Sequence, residues 1–367
     1  MRPLRDLVQR GLARLPAGGR MIAVYDKLDR GLRHSAGLRS PESFRVRTHN
    51  LTIALTARCN LRCVGCRYGR DFMLEKELPL ELVRGVVEDA ASLGIRTLRL
   101  YGGEPLLYRD LPRVIECARS HNLDAYVTTN ALLLDKRIDE LYAAGLRQLT
   151  IGFYGSGARY DAYTQTRGSF DAVRRSIDRV RERYGDSIQL RLNWLLSRPT
   201  RDLEALEEAL DHARRWNAPI QIDLIHYSLP YFTEGPDRYL QFRPEDRPFV
   251  ERIVARTLEV KREEPHLIQH SPEGLRSIPD WLIKGPDMKV PCTKHEMLWI
   301  GADGTVQLCY VTFRLGNLHQ SRLRDLVYGP EHHEAGRGAL ALKCANCHCG
   351  YDERVRRHAP TRKLYQS

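Results

Sequence analysis

The chain has 367 residues, 42% of them hydrophobic, with a net charge of +12, which suits one large core-forming unit with a small appendage. No apolar run reaches membrane-spanning length. The N-terminal MRPLRDLVQRGLARL is basic without an apolar stretch and does not read as a secretory signal. Nine cysteines, odd in number and tightly clustered, do not suit a secreted disulfide framework; a cytoplasmic protein is expected.

Residues 1–47 read as a basic amphipathic helical extension of two short helices, with Leu4, Leu7, Val8, Leu12 and Leu15 at helical spacing and then Ile22, Tyr25, Leu28 and Leu32. Residues 1–50 hold eleven Lys/Arg against four acids, so more than half the charge excess is N-terminal. Such a surface permits an anionic lipid, a phosphorylated substrate or nucleic acid. Nucleic acid is the less expected partner. Peripheral membrane contact through these helices is an alternative to docking on the rest of the fold.

From residue 48 to 230 the pattern alternates. Strands are predicted over 51–56, 96–101, 124–129, 147–154, 188–196 and 220–227. Helical patterns intervene, as at 82–94, where Gly94 suits a C-cap, and after Ser169, which suits an N-cap. Six strand–helix steps in strict order predict a parallel sheet, doubly wound or a barrel, with the site at the carboxyl ends of the strands. Residues 231–290 lose the rhythm and read as a bridging segment with one helix near 245–262. Residues 291–352 form a different unit: strands MLWI and TVQLC around GADG, whose Asp303–Gly304 pair suits a tight hairpin, then a short helix and CANCHC. A basic tail, 353–367, follows.

The sharpest motif is CNLRCVGC, which places Cys59, Cys63 and Cys66 directly after the first strand. Zinc wants a fourth ligand, and a disulfide leaves one cysteine over. A cubane iron–sulfur cluster held by three thiolates keeps one iron open. The second strand ends in GGEP: Gly102 and Gly103 admit a close backbone approach, and Glu104 places a carboxylate suited to an ammonium group.

The CxxxCxxC motif followed one βα unit later by GGEP resembles the radical S-adenosylmethionine superfamily. The resemblance implies a partial (β/α)6 TIM-like barrel of α/β class. It implies a 4Fe–4S cluster on Cys59, Cys63 and Cys66, and S-adenosylmethionine as cofactor, with Gly102, Gly103 and Glu104 near its amino group. TTNALLL, with Asn130, resembles the turn after the third strand, with Ala131 in place of the usual glycine. Asn193 is a ribose or carboxylate contact on the same grounds. Gly65 stands where an adenine-packing aromatic is usual, and Tyr68 is the expected substitute. The segment GFYG departs from the usual strand-four motif.

Cys292, Cys309, Cys344 and Cys347 have a spacing that suits zinc or an iron–sulfur cluster equally. The resemblance to a twitch- or SPASM-like extension implies one auxiliary 4Fe–4S cluster, giving two per chain, with Cys349 as the alternative to Cys347. His348 and the pair His332–His333 are expected at the surface. Asp223, Trp194, His226 and Tyr227 are expected to face the site. Cys117 reads as a small buried hydrophobe. The implied activity is hydrogen abstraction from a polar small molecule of sugar, aminocyclitol or nucleotide type, ending in oxidation or rearrangement. The alternatives are a maturase of ribosomally made peptides and an RNA-modifying enzyme. An electron donor such as flavodoxin or ferredoxin is the implied partner.

Overall fold

The computed structural model describes residues 18–68, 70–226, 239–292, 294–309 and 312–357. The first predicted helix of the N-terminal extension, Tyr227 and most of the tail lie outside these residues.

Six parallel strands follow one another in space as they do in sequence: β1 (Asn50–Ala54), β2 (Thr97–Tyr101), β3 (Asp124–Thr129), β4 (Gln148–Phe153), β5 (Gln189–Leu196) and β6 (Ile220–Leu224). The helices between them are α2 (Leu80–Ser92), α3 (Leu111–Ser120), α4 (Leu134–Ala144), α5 (Gly157–Thr164), α6 (Ser169–Tyr184) and α7 (Leu203–Arg215); α1 (Gly18–Arg39) precedes β1. This is the partial TIM-like barrel expected. Strands β2, β5 and β6 alternate in burial, while β1 and β4 are buried on both faces. Leu98 and Leu100, Leu190, Leu192 and Trp194, and Ile220 and Ile222 are buried in the layer beneath the helices. Each such aliphatic side chain contributes roughly 1.5–3 kcal/mol. The intervening Arg99, Tyr101, Arg191, Asn193, Gln221 and Asp223 fall on the concave face. Trp194, expected to face the site, is therefore on the wrong side of β5.

The C-terminal hairpin is not a separate layer. Strand β7 (Met297–Ile300) pairs in parallel with β1, Leu51 opposite Leu298. Strands β8 (Thr305–Cys309) and β9 (Thr312–Asn317) continue antiparallel, giving a nine-stranded sheet in the order β6-β5-β4-β3-β2-β1-β7-β8-β9. Cys309 thus sits on the sheet that carries the first cysteine loop. Asp303 accepts from Thr305 N–H (3.0 Å) in the hairpin turn.

The bridging segment holds more than the one predicted helix. After α8 (Arg247–Glu263) comes α9 (Pro272–Lys284), which contains Pro279 and buries Trp281 completely. An internal proline had masked its helical pattern. Helix α9 packs against α12 (Tyr351–Arg357), and short α10 (Leu323–Leu326) and α11 (Pro330–Leu340) lie between β9 and α12. The start of α12 returns to the β6 edge of the sheet, where Tyr351 Oη donates to the Ile222 carbonyl (3.2 Å). His332 is fully buried, accepting from Tyr328 N–H at 3.0 Å, and not at the surface as expected. At the other terminus the last turn of α1 docks, Gly37 against Phe44 and Leu340, while Leu28 and Leu32 remain exposed.

Candidate functional site

The first cysteine loop leaves β1 at its carboxyl end and is pinned from three sides. Val64 N–H donates to the Tyr163 carbonyl (2.8 Å) in α5. Arg70 donates to the Cys63 carbonyl (2.9 Å) and to Gln165. Cys66 N–H closes on the Cys63 carbonyl (3.2 Å) across Gly65, whose φ of +77° is left-handed. That turn is the physical reason a glycine stands before the third cysteine. Burial pushes the Cys59 thiol up to about 12, with the negative charges of Glu104 and Cys66 adding to it. Burial likewise raises Cys63 and Cys66. Three neighbouring soft donors that resist ionising alone are suited to a metal centre, which releases their protons on binding.

The GGE turn lies flat on this loop. Gly103 N–H donates to the Thr56 carbonyl (2.7 Å) and Glu104 N–H to the Arg58 carbonyl (2.8 Å). A Cβ on Gly102 would strike the Thr56 carbonyl, and one on Gly103 the carbonyls of Ala57 and Arg58. The Glu104 side chain does not stand free for an ammonium group. Its Oε1 accepts from Leu106 N–H (2.9 Å) and Thr129 Oγ1 (2.7 Å), and its Oε2 from Asn130 N–H (2.8 Å). Complete burial raises its carboxyl to about 7 against those three hydrogen bonds. Asn130 extends the network, its Nδ2 donating to Asn60 Oδ1 (2.8 Å) in the cysteine loop and its Oδ1 accepting from Leu132 N–H. The turn it opens continues through Ala131 at φ +62°, the position where the sequence departs from glycine.

One expected residue is placed differently, and one unexpected residue lies at the mouth. Tyr68 is only 2% exposed, packed with Trp299, Ala54, Ala57 and Ala302 and edge-on to Phe72 and Tyr101. It presents no ring face to a base. Tyr154, in the GFYG segment, stacks on Tyr163 (4.3 Å), and its hydroxyl lies over Gly152 at the mouth of the barrel. The GFYG departure was the available signal.

Below the mouth the concave face is polar. Asn193 Nδ2 donates to Asp223 Oδ2 (2.5 Å), and the buried Asn193 Oδ1 has no protein partner. Arg99 donates to Thr128 Oγ1 (2.9 Å) and lies over the Tyr101 ring (4.9 Å). Arg191 stands opposite Thr150. Its Nε is buried without a hydrogen-bond partner, and no described carboxylate pairs with it. Cys117 sits on α3, on the helix side of the sheet, half-buried beside His121.

Cys292, Cys309, Cys344, Cys347 and Cys349 together line one cavity, with Lys294, His295 and Met297. Lys294 N–H donates to Cys292 Sγ (3.3 Å), and the Cys309 thiol meets Thr312 Oγ1 (3.1 Å). Burial raises Cys292. A hydrogen bond with Cys349, then burial, raises Cys347. Arg354, 1% exposed, fastens the segment: it donates to the carbonyls of Cys347 (2.6 Å) and Val290 (3.1 Å) and to Asn346 Oδ1 (2.8 Å), and lies over Trp281. His348, expected at the surface, is 2% exposed, with its ring near those of His226 (6.0 Å) and Trp281 (5.9 Å). Cys347 and Cys66 both pack against the Tyr68–Trp299 group, so one small core separates the two cysteine sets. The donor set, five thiols with cationic neighbours, fits a thiophilic cluster.

Comparison with known proteins agrees with this division. The radical SAM superfamily model matches residues 53–210, and the model of the SPASM iron–sulfur cluster-binding domain matches 292–348. The chain is 29% identical over 163 residues to the Fe-coproporphyrin III synthase of Methanosarcina barkeri, covering 44% of this chain and 40% of that protein. It is 28% identical over 184 residues to a probable GTP 3',8-cyclase of Methanococcus vannielii, covering 49% and 60%. These matches span about half the length of the curated relatives. Among solved structures, anSMEcpe with bound AdoMet and a peptide superimposes with a TM-score of 0.62 at 18% identity, over 79% of this chain and 83% of that one, which is a likeness of fold. No described helix is long and apolar enough to cross a membrane.

Proposed function

From the premise that the chain belongs to the radical S-adenosylmethionine superfamily and carries a SPASM iron–sulfur domain, we propose that it oxidises or rearranges an anionic polar small molecule. Cys59, Cys63 and Cys66 hold the first 4Fe–4S cluster in this reading, and cysteines of the second cavity hold an auxiliary one. The chemistry supplied by the bound groups is reductive cleavage of S-adenosylmethionine to a 5′-deoxyadenosyl radical and hydrogen abstraction from substrate, with the auxiliary cluster as electron acceptor.

The chain's own residues do the rest. The backbone of Gly102 and Gly103, held against the cysteine loop by the Gly103 N–H, offers its carbonyls to the amino group of the cofactor's methionine moiety. The unpartnered Asn193 Oδ1 offers an acceptor for a hydroxyl. The observation that carries the substrate class is Arg191, a guanidinium on the concave face with a buried Nε that nothing in the protein satisfies. Such a group is a costly orphan unless the ligand brings an anion or acceptor. Arg99 adds a second cation to the same face. A phosphate or carboxylate on a compact skeleton suits these better than a neutral peptide backbone.

The test is anaerobic reconstitution and reduction. Release of 5′-deoxyadenosine from S-adenosylmethionine is expected, and its loss in the Cys59→Ala, Cys63→Ala and Cys66→Ala variants. Turnover is then screened with phosphorylated and carboxylated sugars, cyclitols and nucleotides against peptides and RNA. A protein that binds zinc and no iron sinks the reading. Turnover confined to peptides or RNA sinks its substrate class.

A further inference from the structure

The second cavity contains one cysteine more than a cubane uses. Each cysteine of a 4Fe–4S cluster holds a different iron, so two sulfurs standing close together do not serve two corners. Cys347 and Cys349 are such a pair. One ligand atom from each, with a ring nitrogen of His226, lies within 4.8 Å of the other two. Cys349 Sγ is 3.8 Å from His226 Nε2. His226 comes from just beyond β6, the far edge of the sheet from β8 and its Cys309. Residue 226 lies beyond the radical SAM match, and Cys349 lies one residue beyond the SPASM match.

Which of the pair is the cluster ligand follows from the surroundings. Cys347, with Cys344, acts on the charge of Cys292, and it is packed beside Cys66 on the Tyr68–Trp299 group. The backbone of Cys347 is fixed by Arg354 at its carbonyl. A single tetrahedral ion on His226, Cys347 and Cys349 would need a fourth donor, and among the described residues no further His, Cys, Asp or Glu joins the three.

We propose that Cys349 is not a ligand but a thiol hydrogen-bond donor to the cluster-ligating sulfur of Cys347, with His226 as the positioning residue that orients it from the barrel edge. With Cys347 deprotonated on the cluster, the donors would run in one direction: His226 Nε2–H, in that tautomer, to Cys349 sulfur, and Cys349 S–H to Cys347 sulfur. Hydrogen bonds to cluster sulfurs stabilise the more negative, reduced state and so raise the potential. The arrangement makes the auxiliary cluster a better electron acceptor. The proposal rests on the reading that an auxiliary cluster occupies this cavity.

The experiment uses the full chain with Cys59, Cys63 and Cys66 all replaced by Ser, so that only the auxiliary cluster reports. Iron and zinc are counted after reconstitution, and the midpoint is followed by electron paramagnetic resonance in a redox titration. Cys349→Ala is expected to keep about four irons per chain and to move the midpoint to more negative potential. Cys349→Ser, which keeps a donor, is expected to restore most of that shift, and His226→Gln to give a smaller shift of the same sign. Loss of the iron in Cys349→Ala makes Cys349 a ligand and overturns the proposal. So does a zinc ion that Cys349→Ala or His226→Gln removes. Four irons with an unmoved midpoint overturn this proposal alone, whereas no iron in the parent chain overturns the auxiliary-cluster reading with it.

Discussion

Glu104 Oε2 accepts the backbone N–H of Asn130 at 2.8 Å, joining the ends of β2 and β3 beneath the first cysteine loop. Its carboxyl is fully buried and raised to about 7 from 4.5. Below pH 4.5 the folded and unfolded chains are both protonated there. As pH rises from 4.5 to 7 the unfolded chain loses its proton first, so the folded state loses stability, by about 3 kcal/mol in all. Denaturant unfolding without S-adenosylmethionine is expected to give a lower stability at pH 7.5 than at pH 5. Glu104→Gln is expected to be less stable at pH 5 and to show a flatter pH dependence over that window.

Gly103→Ala places a methyl group on the carbonyls of Ala57 and Arg58. Backbone on backbone has no rotamer escape, so the variant is expected to lose roughly 1–3 kcal/mol. Because the displaced segment is the first cysteine loop, reconstitution is expected to yield about four irons per chain where the parent yields about eight. Full loading of Gly103→Ala would show that the GGE turn does not fix the loop.

Arg191→Met removes the half-buried guanidinium, with its buried Nε, while keeping its apolar length. Substrate-independent release of 5′-deoxyadenosine is expected to continue, and KM for the substrate to rise roughly 10- to 100-fold, the equivalent of one charged hydrogen bond. Arg191→Lys is expected to recover only part, lacking the planar fork. Equal loss of the substrate-independent reaction would assign Arg191 to the cofactor.

Arg354→Met keeps a chain over Trp281 but leaves the Cys347 and Val290 carbonyls without their donor. Orphaned buried acceptors cost roughly 1–3 kcal/mol each. The expected result is loss of the auxiliary iron with the first cluster retained, read as about four irons and a surviving 5′-deoxyadenosine signal.

The barrel strands and the first motif were legible because both are local. Alternation of Leu98, Arg99 and Leu100 is written in three adjacent letters, and so is the glycine turn of CVGC. What escaped was set by distant pairing. Tyr68 follows the third cysteine closely in sequence, yet its ring is claimed by Trp299, which arrives on β7. His348 and His332 look polar, but each is buried by helices that the sequence pattern did not assemble around it. Trp194 was assigned to the wrong face of β5 although Leu192 and Leu196, two residues to either side, mark the helix side. Helix α9 hid behind Pro279. Glu104 was recognised as a site residue, but its three internal donors belong to neighbours 2, 25 and 26 residues away.

The pairing of β1 with β7 joins two segments that the ribosome makes far apart in time. Strand β1 is the first strand of the described sheet to be made, but its edge away from β2 is covered only when Met297–Ile300 has been made, more than 240 residues later. At roughly 5–20 residues per second that edge stays open for about 10–50 s. Leu51 and Ile53, fully buried in the finished protein, belong to a strand that pairs with β2 on one side and keeps its other edge open for that interval, a template for pairing with another nascent chain. A chain shortened before β7 would keep the first cysteine loop and never close the strand that carries it, and is expected to accumulate as aggregate.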